Sequence, residues 1–200
     1  MPLPDSADEM IYFRTGLLGP SVSEDKGEPM DIKTCLLLSG YNRKTNEAMN
    51  SLIREMDETL WLTKFDGYYP TVKSLCNHLY IGDLSWLKRF ATLRSFAFAE
   101  SPLITKPIEI RAEAFQTVPE YLQMRSALDD LIDAFIRELT EADLEATLSY
   151  VNFRGEAQLR NYGGLAMHFF NHQTHHRGMI SVYLDSMKIV NDFSNLSLLV

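Results

Sequence analysis

Four stretches of the chain repeat apolar residues at spacings of three and four, the pattern typical of a helix with one buried face. They span residues 31 to about 60, about 71 to 94, 119 to 140, and the segment after Gly163-Gly164 to about 188. Glycine and proline separate these stretches, and no strand pattern of comparable length competes with them. The sequence therefore predicts an all-α four-helix bundle.

Two shorter segments depart from the helical pattern. Residues 146–162 alternate Leu148, Tyr150 and Asn152 before the turn-like pair Arg154-Gly155, which predicts a short β-hairpin before the last helix. Residues 1–29 carry four prolines and three glycines, too many for a long regular element. We expect them to form a loosely ordered extension, followed by one domain over residues 30–200.

The charge balance narrows the range of partners. The chain has 27 acidic and 19 basic residues, a formal net charge of −8, and no basic run that would attract a phosphate backbone. No apolar stretch approaches the roughly 20 residues of a spanning helix. The two cysteines are far apart and form no CxxC motif, as is typical of a reducing compartment. We expect a cytoplasmic protein with no nucleic-acid or membrane partner.

The histidines are the most informative feature. Four of the five fall in one short stretch, His168, His172, His175 and His176. On a helix they share an arc of roughly 100°, on the apolar side of the fourth helix. Several buried imidazoles need partners for their nitrogens and repel one another if charged, and a bound metal ion removes both problems. The cluster therefore predicts a metal site, with core histidines hydrogen-bonded to protein groups as the alternative.

Spacing selects the ligands within this cluster. His172 and His176 are separated by one helical turn, so both rings can reach one ion. His78 on the second helix is the remaining histidine, and the small residues Gly82 and Ser85 on its face would leave space beside the ion. We interpret His168 and His175 as residues that support the ligands or pack beside them. Three ligands with an open position are typical of a catalytic site.

Absent motifs exclude several kinds of site, and the fourth helix also has a polar side. Gln173 follows His172, so the HExxH motif of zinc proteases is absent, and neither Glu-x-x-His, CxxCH nor a glycine-rich nucleotide loop occurs. The side of the fourth helix opposite the histidines carries Gln173, Arg177 and Ser181, with Phe170 pointing the same way. We expect this side to face solvent.

Three motifs resemble the DinB/YfiT-like family of metalloenzymes. The first is the octapeptide Asn171-His172-Gln173-Thr174-His175-His176-Arg177-Gly178, which is followed by Met179 where that family usually has Gln. The second is the segment from His78 to Arg89, similar to the pattern H-x4-D-x2-W-L-x-R. The third is Tyr41-Asn42 with Asn46. The resemblance covers residues from about 31 to 189.

The resemblance implies an up-down-down-up four-helix bundle, often a homodimer, with a divalent ion held by His78, His172 and His176. Zn or Ni would suit three histidines best, and Fe or Mn are also compatible. Arg89 and Asp83 match the family motif. Arg89 is a candidate for binding a substrate carboxylate or for a surface or structural salt bridge. Asp83 is a candidate for orienting a neighbouring residue or for facing solvent, and its helical angle from His78 favours solvent.

Three functions remain open at this level. The resemblance favours a thiol S-transferase, in which a metal-activated thiolate, from a low-molecular-weight thiol, attacks a small-molecule electrophile. A metal-dependent hydrolase would use the same ion to activate water. A metal-binding stress-response protein without catalysis would use the ion only to hold its helices together.

Overall fold

The computed structural model describes residues 30–109 and 112–199, so the expected extension over residues 1–29 lies outside the described residues. Within these ranges the chain forms seven α-helices, two 3-10 turns and one hairpin. The helices are α1 (Ile32–Arg54), α2 (Glu58–Trp61), α3 (Val72–Phe90), α4 (Pro102–Thr105), α5 (Val118–Glu138), α6 (Glu141–Glu145) and α7 (Tyr162–Ser186). The hairpin strands are β1 (Thr147–Val151) and β2 (Ala157–Asn161), and the 3-10 turns are Ala97–Glu100 and Leu196–Leu199.

Capping side chains set where the long helices begin. Each of the four residues before a long helix accepts a hydrogen bond from the backbone N–H three residues on, and these caps are Asp31, Thr71, Thr117 and Asn161. A fifth cap, Asp57, accepts from the N–H of Leu60 and starts α2. The first helix therefore ends at Arg54, shorter than the predicted stretch to about residue 60, because a competing helix start follows it.

Contacts between the helices give their directions. Along α3 and α5, Phe90 stacks on Phe135 and Asp83 pairs with Arg125, so residue numbers rise together and the two helices are parallel. Along α1 and α5 the numbers run oppositely, since Ser39 bonds Asp133 and Asn50 bonds Tyr121. Along α3 and α7 they also run oppositely, as shown by the pairs His78 with His176, Trp86 with His168, and Phe90 with Tyr162.

These directions define an up-down-down-up bundle of α1, α3, α5 and α7, which confirms the predicted all-α fold. The parallel pair α3 and α5 needs a connection that returns along the bundle, and residues 91–117 with α4 provide it.

The predicted hairpin is confirmed as well: β1 and β2 pair antiparallel from Thr147 opposite Asn161 to Val151 opposite Ala157. Its turn includes Gly155 with a φ of 78°, a left-handed conformation that suits glycine.

Aromatic rings in the core join three of the long helices, α3, α5 and α7. Phe90 lies at their centre and contacts Phe135, Tyr162 and Phe169 at ring-centroid distances of 5.1, 5.0 and 6.0 Å. Phe170 is buried, contrary to the expectation that it points with the polar side of the last helix. The reason is that α7 lies between α1 and α3, so both of its sides are covered.

Candidate metal centre

Two antiparallel helices bring three histidines together. His78 lies on α3, and His172 and His176 lie one turn apart on α7. The Nε2 atom of His78 is 3.1 Å from Nε2 of His172 and 3.0 Å from Nε2 of His176. Two nitrogens that each lie about 2.1 Å from one ion are at most about 4.2 Å apart, so these separations suit a shared cation.

Hydrogen bonds among the three rings cannot satisfy this arrangement. A neutral imidazole nitrogen carries either one hydrogen or one lone pair, so Nε2 of His78 can form one full hydrogen bond and not two. The same nitrogen nevertheless lies within hydrogen-bond distance of two others. Three lone pairs directed at one cation would satisfy all three rings, and the donor set therefore fits a divalent metal ion.

The surroundings keep the rings neutral. Burial, and to a smaller extent neighbouring histidines, lower the pKa of His78, His172 and His176 from 6.5 to about 3. Neutral imidazole is the form that binds metal. His176 is buried, whereas His78 and His172 are partly exposed, so the cluster is not fully enclosed by the protein.

The outer nitrogens of the three rings differ in their partners. Nδ1 of His78 lies 2.8 Å from the hydroxyl of Tyr69, which stands in the loop before α3. Nδ1 of His172 and of His176 is buried with no hydrogen-bond partner in the part of the chain that the structure describes. Sequence reasoning did not select Tyr69, because nothing in a loop sequence indicates which helix residue it will contact.

The glycine beside His78 on α3 has a different role from the one expected. A Cβ atom added to Gly82 would lie 3.1 Å from Cε1 of His172, closer than ordinary van der Waals contact. Gly82 therefore gives room to the ring of His172, a candidate ligand, rather than to an open volume. Ser85 is turned to its own helix, where its hydroxyl donates to the carbonyl of Ile81.

The two remaining histidines of α7 are exposed and flank the cluster. The ring of His168 lies 5.2 Å from Trp86 and 6.1 Å from His172, and the ring of His175 lies 4.8 Å from His176. The groups packed beside its ring remove part of its hydration, and this desolvation lowers the pKa of His168. Both rings lie beside the cluster, and their role in supporting the candidate ligands stays a prediction.

Arg89 lies beyond Trp86, at the hairpin end of α3. Its guanidinium stands over the rings of Trp86, Tyr150 and Phe153 at 4.9, 5.5 and 4.5 Å. Such cation–π contacts hold a guanidinium in place while its N–H groups keep their donor function. The hairpin therefore supplies two of the rings that position Arg89.

Asp83 and Arg177 belong to a buried network, and the expectation that they face solvent is wrong. Asp83 accepts from Arg125 at 2.6 Å, and Arg125 also bonds Asp129 at 2.5 Å. Asn46 then links Asp129 to Arg177, donating to the carboxylate at 2.9 Å and accepting from the guanidinium at 3.1 Å. The two carboxylates and two guanidiniums balance in formal charge.

Further amide groups complete this network. Arg177 also donates to Asn42 and to Gln173, a residue that is buried although it was expected at the surface. Burial raises the pKa of Asp83 to about 6 and lowers that of Arg177 to about 10. On α7, Gln173 and Arg177 lie on the predicted side, opposite the histidines. This side packs against α1 instead of facing solvent.

The structure defines this chain as a four-helix-bundle protein with a three-histidine centre between two antiparallel helices. Residues 30–187 match the model of the DinB family, and the chain belongs to that family. It is also similar to "Protein DinB" of Bacillus subtilis (strain 168), with 21% identity over 145 residues that cover 72% of this chain and 80% of that protein. Among the described residues, every helix is too short or too polar to cross a lipid bilayer.

Proposed function

We propose that the protein holds a divalent metal ion with His78, His172 and His176 and is a metal-dependent enzyme that transfers a small thiol to an electrophile. The observation that carries the proposal is the convergence of the three Nε2 atoms, with separations of 3.0 and 3.1 Å from His78. Membership of the DinB family agrees with it.

The exposure of the cluster supports a catalytic rather than a purely structural centre. A bound divalent ion would lower the pKa of a thiol at an open position and so provide a thiolate at neutral pH. His78 and His172 are only partly buried, so a small molecule can approach the histidines from their exposed side. A structural site is normally closed by a fourth protein ligand. The described residues bring only these three candidate ligands together.

A path of rings leads from the histidines to Arg89. His172, His168 and Trp86 follow one another at ring distances of 6.1 and 5.2 Å, and Arg89 stands against Trp86. A substrate lying along this path would meet a cation at one end. We therefore propose that Arg89 binds a carboxylate of the thiol, because guanidinium forms paired hydrogen bonds with carboxylates.

Metal content tests the first half of the proposal. Protein purified without a polyhistidine tag or a nickel column should contain about one equivalent of Zn or Ni, measured by elemental analysis. His172→Ala should lose most of that metal, because two ligands from separate helices bind much more weakly than three. Ser51→Ala, a change at an exposed site on α1, should retain it. Equal metal content in both variants would contradict the ligand assignment.

Thiol dependence tests the second half. With an activated aryl halide as electrophile, the S–C bond forms, halide leaves and the thiol proton passes to the buffer. We expect turnover by the metal-loaded protein only when a low-molecular-weight thiol is added. Hydrolysis of an activated ester without thiol would instead favour the hydrolase, and metal binding without either reaction would favour a non-catalytic role.

A further inference from the structure

We propose that Tyr69 is a positioning residue that holds His78 in the tautomer with hydrogen on Nδ1, so that the Nε2 lone pair points at the other two histidines. The proposal rests on the proposed metal site. It concerns a loop residue that belongs to none of the sequence motifs discussed above.

The contacts of Tyr69 with the cluster are direct. Its hydroxyl lies 2.8 Å from Nδ1 of His78, and its ring stacks on that imidazole with centroids 4.3 Å apart and planes 25° from parallel. The same ring presents an edge to His176 at 5.8 Å. Tyr69 therefore restricts both the tilt and the hydrogen bonding of His78.

Other residues hold Tyr69 in place. The hydroxyl of Tyr183, two turns beyond His176 on α7, donates to the Tyr69 carbonyl at 2.8 Å. Phe65 stacks on Tyr183 at 4.2 Å, and its N–H donates to the carbonyl of Pro70, which closes the loop. A Cβ on Gly67 would lie 2.6 Å from the Tyr183 hydroxyl, so the loop passes this helix closely. Thus α7, the helix of His172 and His176, also positions Tyr69, the hydrogen-bond partner of His78.

Donor counting gives the tautomer that metal binding through Nε2 of His78 requires. A neutral imidazole has one N–H, and Nε2 of His78 can offer a lone pair only when that hydrogen is on Nδ1. Nδ1 then donates, and the Tyr69 oxygen accepts. Burial raises the pKa of Tyr69, so the hydroxyl stays neutral and keeps its own hydrogen. Nδ1 of His172 and His176 has no comparable partner in the described ranges. Within those ranges, His78 is thus the one candidate ligand whose Nδ1 has a protein partner placed to accept its hydrogen.

Zinc affinity of the full chain provides the first test. The metal-free protein is titrated with Zn²⁺ against a competing chelator for wild type, Tyr69→Phe and Tyr41→Phe. Loss of a hydrogen bond to a ligand's outer nitrogen typically weakens metal binding about 10–100-fold, and we expect this for Tyr69→Phe. Tyr41→Phe also removes one hydroxyl hydrogen bond, to the Phe193 carbonyl, and should leave the affinity unchanged.

The imidazole N–H provides a readout that a merely structural role would not move. In nitrogen-15 NMR spectra of the zinc-loaded protein, the Nδ1–H proton of His78 should exchange slowly in wild type and faster in Tyr69→Phe, while His172 is unchanged. A hydrogen on Nε2 of His78, or a Tyr69→Phe affinity within twofold of wild type, would overturn the proposal. Absence of zinc binding in wild type would instead refute the proposed metal site.

A second variant covers the case in which Tyr69→Phe does not fold. Tyr183→Phe removes only the hydrogen bond to the Tyr69 carbonyl and leaves the Tyr69 hydroxyl in the chain. It should weaken zinc binding by a smaller factor, about 3–10-fold, because Tyr69 is held less firmly. Unchanged affinity together with unchanged Nδ1–H exchange in this variant would count against the proposal.

Discussion

Small side chains decide how closely the histidine rings approach one another. Gly82 lies against His172, and an added methyl group would come within 3.1 Å of Cε1 of that ring. The imidazole would have to move by a few tenths of an ångström. Because His172 is one of three candidate ligands, a displacement of this size acts on metal binding before it acts on folding.

Gly82→Ala should therefore separate metal binding from stability. Alanine favours a helix interior over glycine by about 1 kcal/mol, which offsets the strain of the contact. We expect zinc affinity to fall about tenfold or more, while the urea unfolding midpoint of the metal-free protein changes little. Gly178→Ala on α7, where an added Cβ meets nothing within 4 Å, is the matched control and should keep wild-type affinity. Unchanged zinc binding in Gly82→Ala would show that the ring moves freely.

The neutral state of the three histidines predicts a pH dependence of folding. Burial lowers the pKa of each ring from 6.5 to about 3 in the folded metal-free protein. Below pH 6.5 the unfolded chain binds more protons than the folded chain, so stability is present above pH 6.5 and is lost between pH 6.5 and 3. Each ring contributes at most about 1.4 kcal/mol per pH unit, and solvent screening reduces this value.

Urea unfolding of the chelator-treated protein at pH 7.5 and 5.5 measures this effect. We expect a loss of about 2–3 kcal/mol at the lower pH, the sum over three partly screened groups. His175→Gln, at an exposed position, should show the same loss, and His172→Gln a smaller one. Stability that does not change between these two pH values would contradict the assignment of buried neutral rings.

At the scale of elements, the position of His78 depends on where α3 begins. Thr71 accepts from the N–H of Ser74, and the Ser74 hydroxyl accepts from the N–H of Thr71, so the two residues form a reciprocal cap. Tyr69 precedes this cap by two residues and His78 follows it by two turns. The cap therefore connects the loop that holds Tyr69 to the helix that holds His78.

Thr71→Ala should destabilise the protein by about 1 kcal/mol, the usual cost of losing a threonine cap. The measurement is the free energy of unfolding in urea. Ser51→Ala removes a hydroxyl from an exposed site within α1, where it bonds only the preceding turn, and should change stability by less than about 0.5 kcal/mol. Equal effects of the two substitutions would show that the cap contributes nothing specific.

At the scale of the whole molecule, one polar network crosses the bundle interior. Arg125 of α5 pairs with Asp83 of α3, and its neighbour Asp129 is connected through Asn46 of α1 to Arg177 of α7. Burial opposes the charge of Arg125, but Asp129 and Asp83 raise its pKa. A buried ion network of this kind adds little net stability against an apolar core, yet it is costly to break. Its hydrogen bonds join residues of all four long helices, so they form together only in one relative arrangement of these helices.

Arg125→Met should destabilise the protein by about 3–5 kcal/mol, because two carboxylates would remain buried without their cation. Arg43→Met provides the control, since Arg43 pairs with Asp130 and Asp133 near the surface, where such pairs contribute about 1 kcal/mol or less. Unfolding free energies in urea compare the two. Similar losses would mean that the network is no more important than a surface ion pair. A partially unfolded Arg125→Met protein at neutral pH would agree with the prediction.

The helices and the candidate ligands could be predicted because both are local properties of the chain. Apolar spacing and caps such as Asp31 depend on neighbours within a few residues, and the one-turn separation of His172 and His176 is set by helix geometry. His78 was inferred as the third ligand by elimination. The end of α1 was not predicted, because the competing cap at Asp57 interrupts a pattern that otherwise continues.

What the sequence by itself determined is the four long helices, the hairpin and the three candidate histidines, since period and spacing are encoded within each segment. Only the tertiary structure decided which polar residues are buried. Asp83, Gln173 and Arg177 are polar and lie on sides that a single amphipathic helix would turn to water. Each is buried because its side packs against another helix, where at least one of its polar atoms hydrogen-bonds within the network. Tyr69 is close to His78 in the sequence, but the hydrogen bond from Tyr183 that holds its loop in place forms only when α7 packs against α3.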